Sequence, residues 1–275
     1  MSEAMYEFRP AGEGLADRID GVWHLSRDGD DTPRMIAPDG ACEIILHRSE
    51  PPLERGGDGW TRQPEAFLYG PLNRVLVLRQ SGPMDVVGIR LHPWAVGALG
   101  ARPSAWRNRA VPLAEILGVE PSRHLLEFAR TASSPAGFLD LAGNELDCVL
   151  QPPLVQTCVR RLVEALQGGE VTGLAGLAAM AGTSERTVGR RFERACGLTA
   201  GDMIRIFRFH RARDAIKAGL PLTEVAADAG YADQAHMTRE FRRFAGITPV
   251  PARNPAPFDV FYPGELKDAE THSKM

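Results

Sequence analysis

The chain has 275 residues, 44% of them apolar, enough to bury a sizeable core and to divide into two domains. It has no run of 18 or more apolar residues and no basic stretch leading into an apolar one at its start, so neither a membrane span nor a secretion signal is expected. The sequence reads as a cytoplasmic protein without a membrane partner. Its formal net charge is only −3, and its four cysteines (Cys42, Cys148, Cys158, Cys196) form no CxxC pair, which argues against a disulfide framework or a zinc knuckle.

Residues 1–112 read as strand and turn. "DGACEIILHR" (Asp39 to Arg48) is an apolar run after a Pro-Asp-Gly turn. "NRVLVLRQ" (Asn73 to Gln80) and "MDVVGIRLH" (Met84 to His92), separated by Ser-Gly-Pro, predict the two strands of a hairpin. "SEPPLERGGDGWTRQP" predicts loop because of its Pro and Gly content. Pro93 opens "PWAVGALG", a short helix with Pro in its first turn.

From Leu113 the apolar spacing changes to threes and fours. "PSRHLLEFARTA", "SPAGFLDLAGNELDCVL" and "PPLVQTCVRRLVEALQGG" each place Pro near a helix start. Val155, Val159, Leu162 and Leu166 share one face of the last, and Gly168-Gly169 reads as a hinge. Residues 113–169 form a helical linker layer on this reading, 170–254 a second domain, and 255–275 a Pro-rich, then charged tail expected to be poorly ordered.

The net charge hides a split. Between Val171 and Arg253 there are 13 Lys+Arg against 8 Asp+Glu, leaving 19 basic and 27 acidic residues elsewhere. A basic module on an acidic body suggests that one end meets a polyanion.

That module repeats itself. Leu177-Ala178-x-x-Ala181-Gly182 matches Val225-Ala226-x-x-Ala229-Gly230 at an offset of 48. After a one-residue insertion, Arg190-x-Phe192 matches Arg239-x-Phe241, and Gly197-Leu198-Thr199 matches Gly246-Ile247-Thr248. Each unit reads as a helix, a glycine turn, a polar cap (Ser184, Asp233) and a second helix, the outline of a helix-turn-helix. At about 100° per residue, Val188, Phe192 and Cys196 form one seam and Arg186, Arg190 and Arg194 lie opposite. In the second unit Met237, Phe241 and Phe244 form the seam, with Ala235, Arg239 and Arg242 opposite and Thr238 beside them. Small residues let a helix sit deep in a groove, and arginines bond guanine edges or phosphates. The bland alternative is two helical hairpins packed together, but two units sharing Gly, cap and Arg-x-Phe weigh against it.

These residues resemble the AraC family of bacterial transcription regulators. The resemblance covers about Val171 to Arg253: "LAAMAGTSERTVGRRFERACGLT" is similar to the first helix-turn-helix and "LTEVAADAGYADQAHMTREFRRFAGITP" to the second. It implies a long rigid helix, "TAGDMIRIFRFHRARDAIKAG", between the units, with Arg208, Arg211 and Ala212 in its Arg-x-x-x-Ala stretch. It also implies base-facing positions at Arg186, Gly189 and Arg190 in the first unit, and at Gln234, Ala235, Thr238 and Arg239 in the second. Arg194 and Arg242, on the same arginine stripes, are also expected to bind DNA, and His236 to lie near the DNA backbone. The chain departs from the family pattern at Ala200, Met237 and Ala252, positions that concern packing and caps.

The resemblance further implies a front domain, on a cupin-like β-barrel, that senses a small molecule or mediates dimerisation. The expected whole is an α+β chain: a β-rich front, helical linkers and an all-α double helix-turn-helix. Double-stranded DNA, a small-molecule effector and a second copy are the partners implied, with no cofactor and no catalysis.

Other constellations are weaker. The seven histidines contain no HxH, HxxxH or HExxH pair. Cys42, His47 and His92 would have to meet through the fold to hold a metal, and isolated Cys and His are commonly core or surface residues. Trp23, Trp60, Trp94, Phe67 and Tyr69 are candidates to line a front-domain pocket or to fill its core. The competing functional class is a DNA-tethered enzyme, such as an alkyl-transfer protein with Cys42 as acceptor, which needs a stabilised thiolate that Glu43 opposes. A third reading is a structural DNA-binding protein with no sensor.

Overall fold

The computed structural model describes residues 5–100, 102–150 and 157–249. The front of the chain supplies strands β1 (Met5–Pro10), β2 (Ile19–Arg27), β3 (Arg34–Ile36), β4 (Cys42–His47), β5 (Leu53–Gly56), β6 (Gly59–Arg62), β7 (Ala66–Tyr69), β8 (Leu76–Arg79), β9 (Met84–Leu91) and β10 (Ala110–Pro112). They form a six-stranded sheet in the order β1-β2-β9-β4-β7-β10 and a four-stranded sheet in the order β3-β8-β5-β6.

The larger sheet is the middle layer of three, which explains why β4 reads as an almost unbroken apolar run. Its alternate residues Cys42, Ile44 and Leu46 face a core shared with helices α1 (Leu113–Leu117), α2 (Val119–Thr131) and α3 (Pro135–Val149). Leu125, Ala129, Phe138, Ala142 and Leu146 fill that core from the helix side. On the opposite face Ile45 joins Trp23, Phe67, Tyr69, Leu76 and Met84 beneath the smaller sheet. Gly88 on β9 leaves room for this packing, since a Cβ there would come within 2.1 Å of the Trp23 ring.

Several expectations are corrected. The segments 73–80 and 84–92 are not a hairpin, because β8 lies in the small sheet beside β3 and β5 while β9 lies between β2 and β4. The Ser-Gly-Pro corner carries the chain from one sheet to the other, held by the buried Gln80, whose Nε2 donates to the Glu50 and Pro83 carbonyls. The stretch 49–64 is not loop throughout: β5 and β6 pair with Gly56 opposite Gly59, across a two-residue turn at Gly57-Asp58. A Gly-Asp pair between short extended runs is a hairpin turn, and the Gly content marks the turn rather than excluding strands. Pro93 precedes only a turn and a 3-10 segment, Val96–Ala98. No cupin-like barrel closes among the described residues. Each sheet keeps open edges, and the edge strands β3 and β10 have three residues each, too short for the staggered pairing a barrel needs.

The second body is all helix: α4 (Thr157–Gln167), α5 (Leu174–Met180), α6 (Glu185–Cys196), α7 (Ala200–Lys217), α8 (Leu222–Asp228) and α9 (Gln234–Ala245). Val159, Leu162 and Leu166 of α4 are buried in its core, whereas Val155 lies outside the described residues. The linker layer is therefore divided by packing, with α1–α3 on the front sheet and α4 in the helical body. Gly168-Gly169 ends a helix inside that body instead of hinging two domains. The tail 255–275 and Ala252 fall outside the described residues.

Candidate nucleic-acid interface

The two repeats fold alike. α5 and α8 occupy equivalent positions 48 residues apart, and α6 and α9 positions 49 apart. Gly182 (φ +58°) and Gly230 (φ +78°) take the left-handed backbone that the turns between helices require. Ser184 Oγ then accepts from the Thr187 N–H at 3.3 Å, and Asp233 Oδ1 from the His236 N–H at 2.6 Å. These bonds satisfy amides that would otherwise be orphaned at each helix start. Both second helices close on a left-handed glycine, Gly197 (φ +68°) and Gly246 (φ +70°).

Between the units runs α7, 18 residues or about 27 Å of helix. Thr199 caps it by accepting from the Asp202 N–H at 2.9 Å. Burial works against the charge of the Asp202 carboxyl, but the Thr199 hydroxyl and the Arg205 guanidinium, 2.6 Å away, hold its pKa below the usual range. Phe209 of α7 packs edge-on against Phe241 at 4.8 Å and lies 5.6 Å from Phe244, locking the second unit to the rod.

The seams are buried as expected. Val188, Phe192 and Cys196 are in the core, and so are Met237, Phe241 and Phe244. Arg186, Arg190 and Arg194 are exposed on α6, and Gln234, Ala235, Arg239 and Arg242 on α9. Gly189 and Thr238 are half-buried beside them, and a Cβ at Gly189 would meet nothing within 4 Å. The Thr238 hydroxyl donates to the Gln234 carbonyl at 2.9 Å. His236 is turned toward its own turn, with Nδ1 accepting from the Ala232 N–H at 3.4 Å and its ring edge-on to Tyr231.

Charge on this face is unusually available. Among the described residues no carboxylate lies within ion-pair distance of Arg186, Arg190, Arg194, Arg239 or Arg242. By contrast Arg205 and Arg243 point away and share Asp202. Unneutralised arginines on one solvent face suit a polyanion and gain little from the protein itself.

The front domain grips the opposite ends of these helices, a contact with no signature in the sequence. Arg107 donates to the Gly197 carbonyl at 3.2 and 2.8 Å, just past α6. At the last turn of α9 the Val75 N–H donates to the Arg243 carbonyl at 3.0 Å, and Arg243 Nε donates to the Asn73 carbonyl at 3.1 Å. His210 of α7 donates to the Pro38 carbonyl at 2.7 Å, and burial, then nearby Arg213, push its pKa down to about 4.

The weaker constellations do not assemble. Cys42 and His47 point to opposite faces of the middle sheet, and His92 stacks on Trp94 at 4.4 Å. Among the described residues no group of three metal-ligating side chains converges. The Cys42 thiol is 1% exposed, and burial, then Asp39, push its pKa well above the ordinary value, the reverse of what an alkyl acceptor needs. Trp23, Phe67 and Tyr69 line a cavity between the sheets. Trp60 instead lies under Arg79, and Trp94 donates to the Asp17 carbonyl at 2.9 Å while packing into the helical core.

Two capped helix-turn-helix units on one rigid rod, each with a bare arginine face, define a double helix-turn-helix DNA-binding protein. Residues 177–254 match the family described as a helix-turn-helix domain, here of the AraC type, and residues 6–112 match a domain of unknown function, DUF6597. The second body of the chain is therefore a helix-turn-helix domain of the kind that transcription regulators carry. No curated protein sequence matches it. Among solved structures, ToxT from Vibrio cholerae is 10% identical over 82% of this chain and 96% of its own, with a TM-score of 0.44. The C-terminal domain of AraT, a response regulator from Geobacillus stearothermophilus, is 20% identical over 38% of this chain and 88% of its own, at 0.34. The AraC-like transcriptional activator CuxR is 13% identical over 72% and 75%, at 0.29.

Proposed function

We propose that α6 and α9 read successive major-groove segments of an operator and that the front domain controls how they are held. Arg186, Gly189 and Arg190 contact bases from the first helix, and Gln234, Ala235, Thr238 and Arg239 from the second. Arg194 and Arg242, farther along the same faces, meet phosphates, with His236 beside them. The chain works by binding rather than catalysis, in the cytoplasm of a bacterial cell where the chromosome lies. No helix among the described residues is long and apolar enough to cross a membrane.

One observation carries the sensor reading. The segments 34–41 and 70–76 have two sides, one toward the cavity between the sheets and one toward the reader. Arg34, Ile36, Asp39 and Ala41 line the cavity, as do Gly70, Leu72 and Leu76. The intervening residues dock the helical body. A Cβ on Gly246 would come within 2.8 Å of Met35 Sδ, Pro38 accepts from His210, and a Cβ on Gly40 would come within 2.7 Å of Met203 Sδ. Asn73 and Val75 hold Arg243. Any molecule that repositions the cavity wall therefore moves the surface on which both reading helices rest. Coupling of this kind is commonly worth about 1–3 kcal/mol, or 5- to 150-fold in affinity.

The same reading includes a homodimer formed through the front half. Val119, 69% exposed on α2, and Leu141, 43% exposed on α3, are large apolar side chains on the outer helical layer. The decisive test is operator affinity, with the operator taken from a genome-wide footprint and the cavity narrowed by Leu78→Phe. A change in affinity without a change in fold supports control by the front domain. An identical affinity would leave a DNA-binding protein with no sensor.

A further inference from the structure

The cavity between the sheets has walls of Trp23, Leu25, Ile45, Phe67 and Met84, and a buried histidine faces it with its hydrogen bonding incomplete. His47, on β4, is 3% exposed, and neither of its ring nitrogens has a hydrogen-bond partner. Gln63 interacts with the imidazole but can serve at most one ring nitrogen, as an acceptor, because its amide nitrogen donates to Glu54 Oε2 at 3.0 Å. Glu54 also accepts from the Tyr69 hydroxyl at 2.6 Å, so the Gln63 amide nitrogen and the Tyr69 hydroxyl are both engaged away from the imidazole, and one ring nitrogen is left for a ligand. Leaving a buried polar group unmade is costly, and such groups mark places where a ligand completes the bonding.

Charge decides what kind of ligand. Burial pushes the His47 pKa down to about 4, so at neutral pH the ring is uncharged and offers one donor and one acceptor. The cations that line the cavity, Arg27, Arg34 and Arg90, are all engaged by other groups. Arg90 is bonded to Asp39, lies 3.0 Å from Glu43 and 3.4 Å from Asp20, and Arg34 lies 2.8 Å from Asp30. A carboxylate ligand would find no uncommitted positive charge there and would meet the Asp39 and Glu43 side chains. The space, about 110 Å³, is on the scale of the ~150 Å³ apolar cavity that takes up benzene.

We propose that this cavity binds a compact, neutral, single-ring molecule of the phenol class, whose one polar group bonds His47 while its ring packs among Trp23, Phe67 and Met84. The assignment names the ligand chemistry for the sensor reading above and rests on it for its regulatory role.

Phenol, benzene and benzoate are the probes, titrated against the full-length protein with binding followed at the His47 ring nitrogens and the Trp23 indole by NMR. Saturable phenol binding at millimolar or lower concentration is expected, with benzoate much weaker. His47→Leu should weaken phenol by about five- to tenfold, the worth of one neutral hydrogen bond, and leave benzene unchanged. His47→Gln, which keeps a donor and an acceptor, should recover part of the loss. Without any ligand, His47→Leu should melt no lower than wild type, because it removes an unsatisfied group. Benzoate binding as tightly as phenol, no saturable phenol binding, or equal loss of phenol and benzene in His47→Leu would each overturn the proposal. Operator affinity with saturating phenol is read separately. Binding without any effect on DNA defeats the sensor reading and leaves the ligand assignment standing.

Discussion

The Val75 N–H donates to the Arg243 carbonyl at 3.0 Å, joining the front domain to the last turn of the second reading helix. The neighbouring residue in sequence, Arg242, is exposed with the bare arginine face. One helix thus turns an arginine-bearing side to solvent and its C-terminal end to the front domain.

Arg239→Ala should cost specific operator binding about 1–3 kcal/mol and spare the fold, as expected for a base-reading arginine. Arg239 is exposed and has no carboxylate partner among the described residues, so its removal disturbs no packing. Affinity at one fixed salt concentration, beside the melting temperature, checks both halves. Unchanged affinity would mean that the reading face is misassigned.

Phe241→Ala should destabilise the helical body by roughly 3–5 kcal/mol. Phe241 is fully buried and packs edge-on against Phe209. Thermal melting reads the effect. A variant that melts like wild type yet fails to bind DNA would show the helix rotated from the orientation described.

Stability should fall on acidification. His47 and His210 both have folded-state pKa values lowered to about 4, by burial above all. The unfolded chain binds protons on these rings from about pH 6.5 downward while the folded chain does not, so stability is fully present above that pH. It should decline by up to about 1.4 kcal/mol per pH unit for each ring as the pH falls from about 6.5 toward about 4. Denaturant melts across that range, compared with a His47→Gln, His210→Gln double variant, measure it. The double variant should show a flatter profile, and an equal slope would exclude these rings as its source.

The fragment Pro152–Arg253 should bind DNA alone, with affinity falling steeply as salt rises because each neutralised phosphate releases counterions. The acidic first 150 residues should not bind. Full-length protein should favour paired half-sites over a single one more strongly than the fragment does, since linking readers makes the second contact intramolecular. Sedimentation of the full chain as a monomer, with no gain on paired sites, would remove dimerisation from the role of the front half.

The sequence by itself determined the reader. The glycine turns, the Ser184 and Asp233 caps and the separation of seam from arginine stripe are local properties, set by helical periodicity and by bonds spanning three residues. A close repeat states them twice. Even the exposure of Arg242 and the burial of Phe241 followed from angle alone.

Only the tertiary structure decided what the front half does with that reader. The chain crosses between sheets at Ser81–Pro83, so β8 and β9 take partners far away in sequence, and no local pattern records which sheet a strand joins. The grip on Gly197 and Arg243 runs through backbone carbonyls, which every residue possesses and no residue type announces. His47 reads as one more position in a buried strand. Its empty hydrogen bonds exist only because the second sheet covers it, and solvent exclusion by a distant segment has no signature in residue spacing.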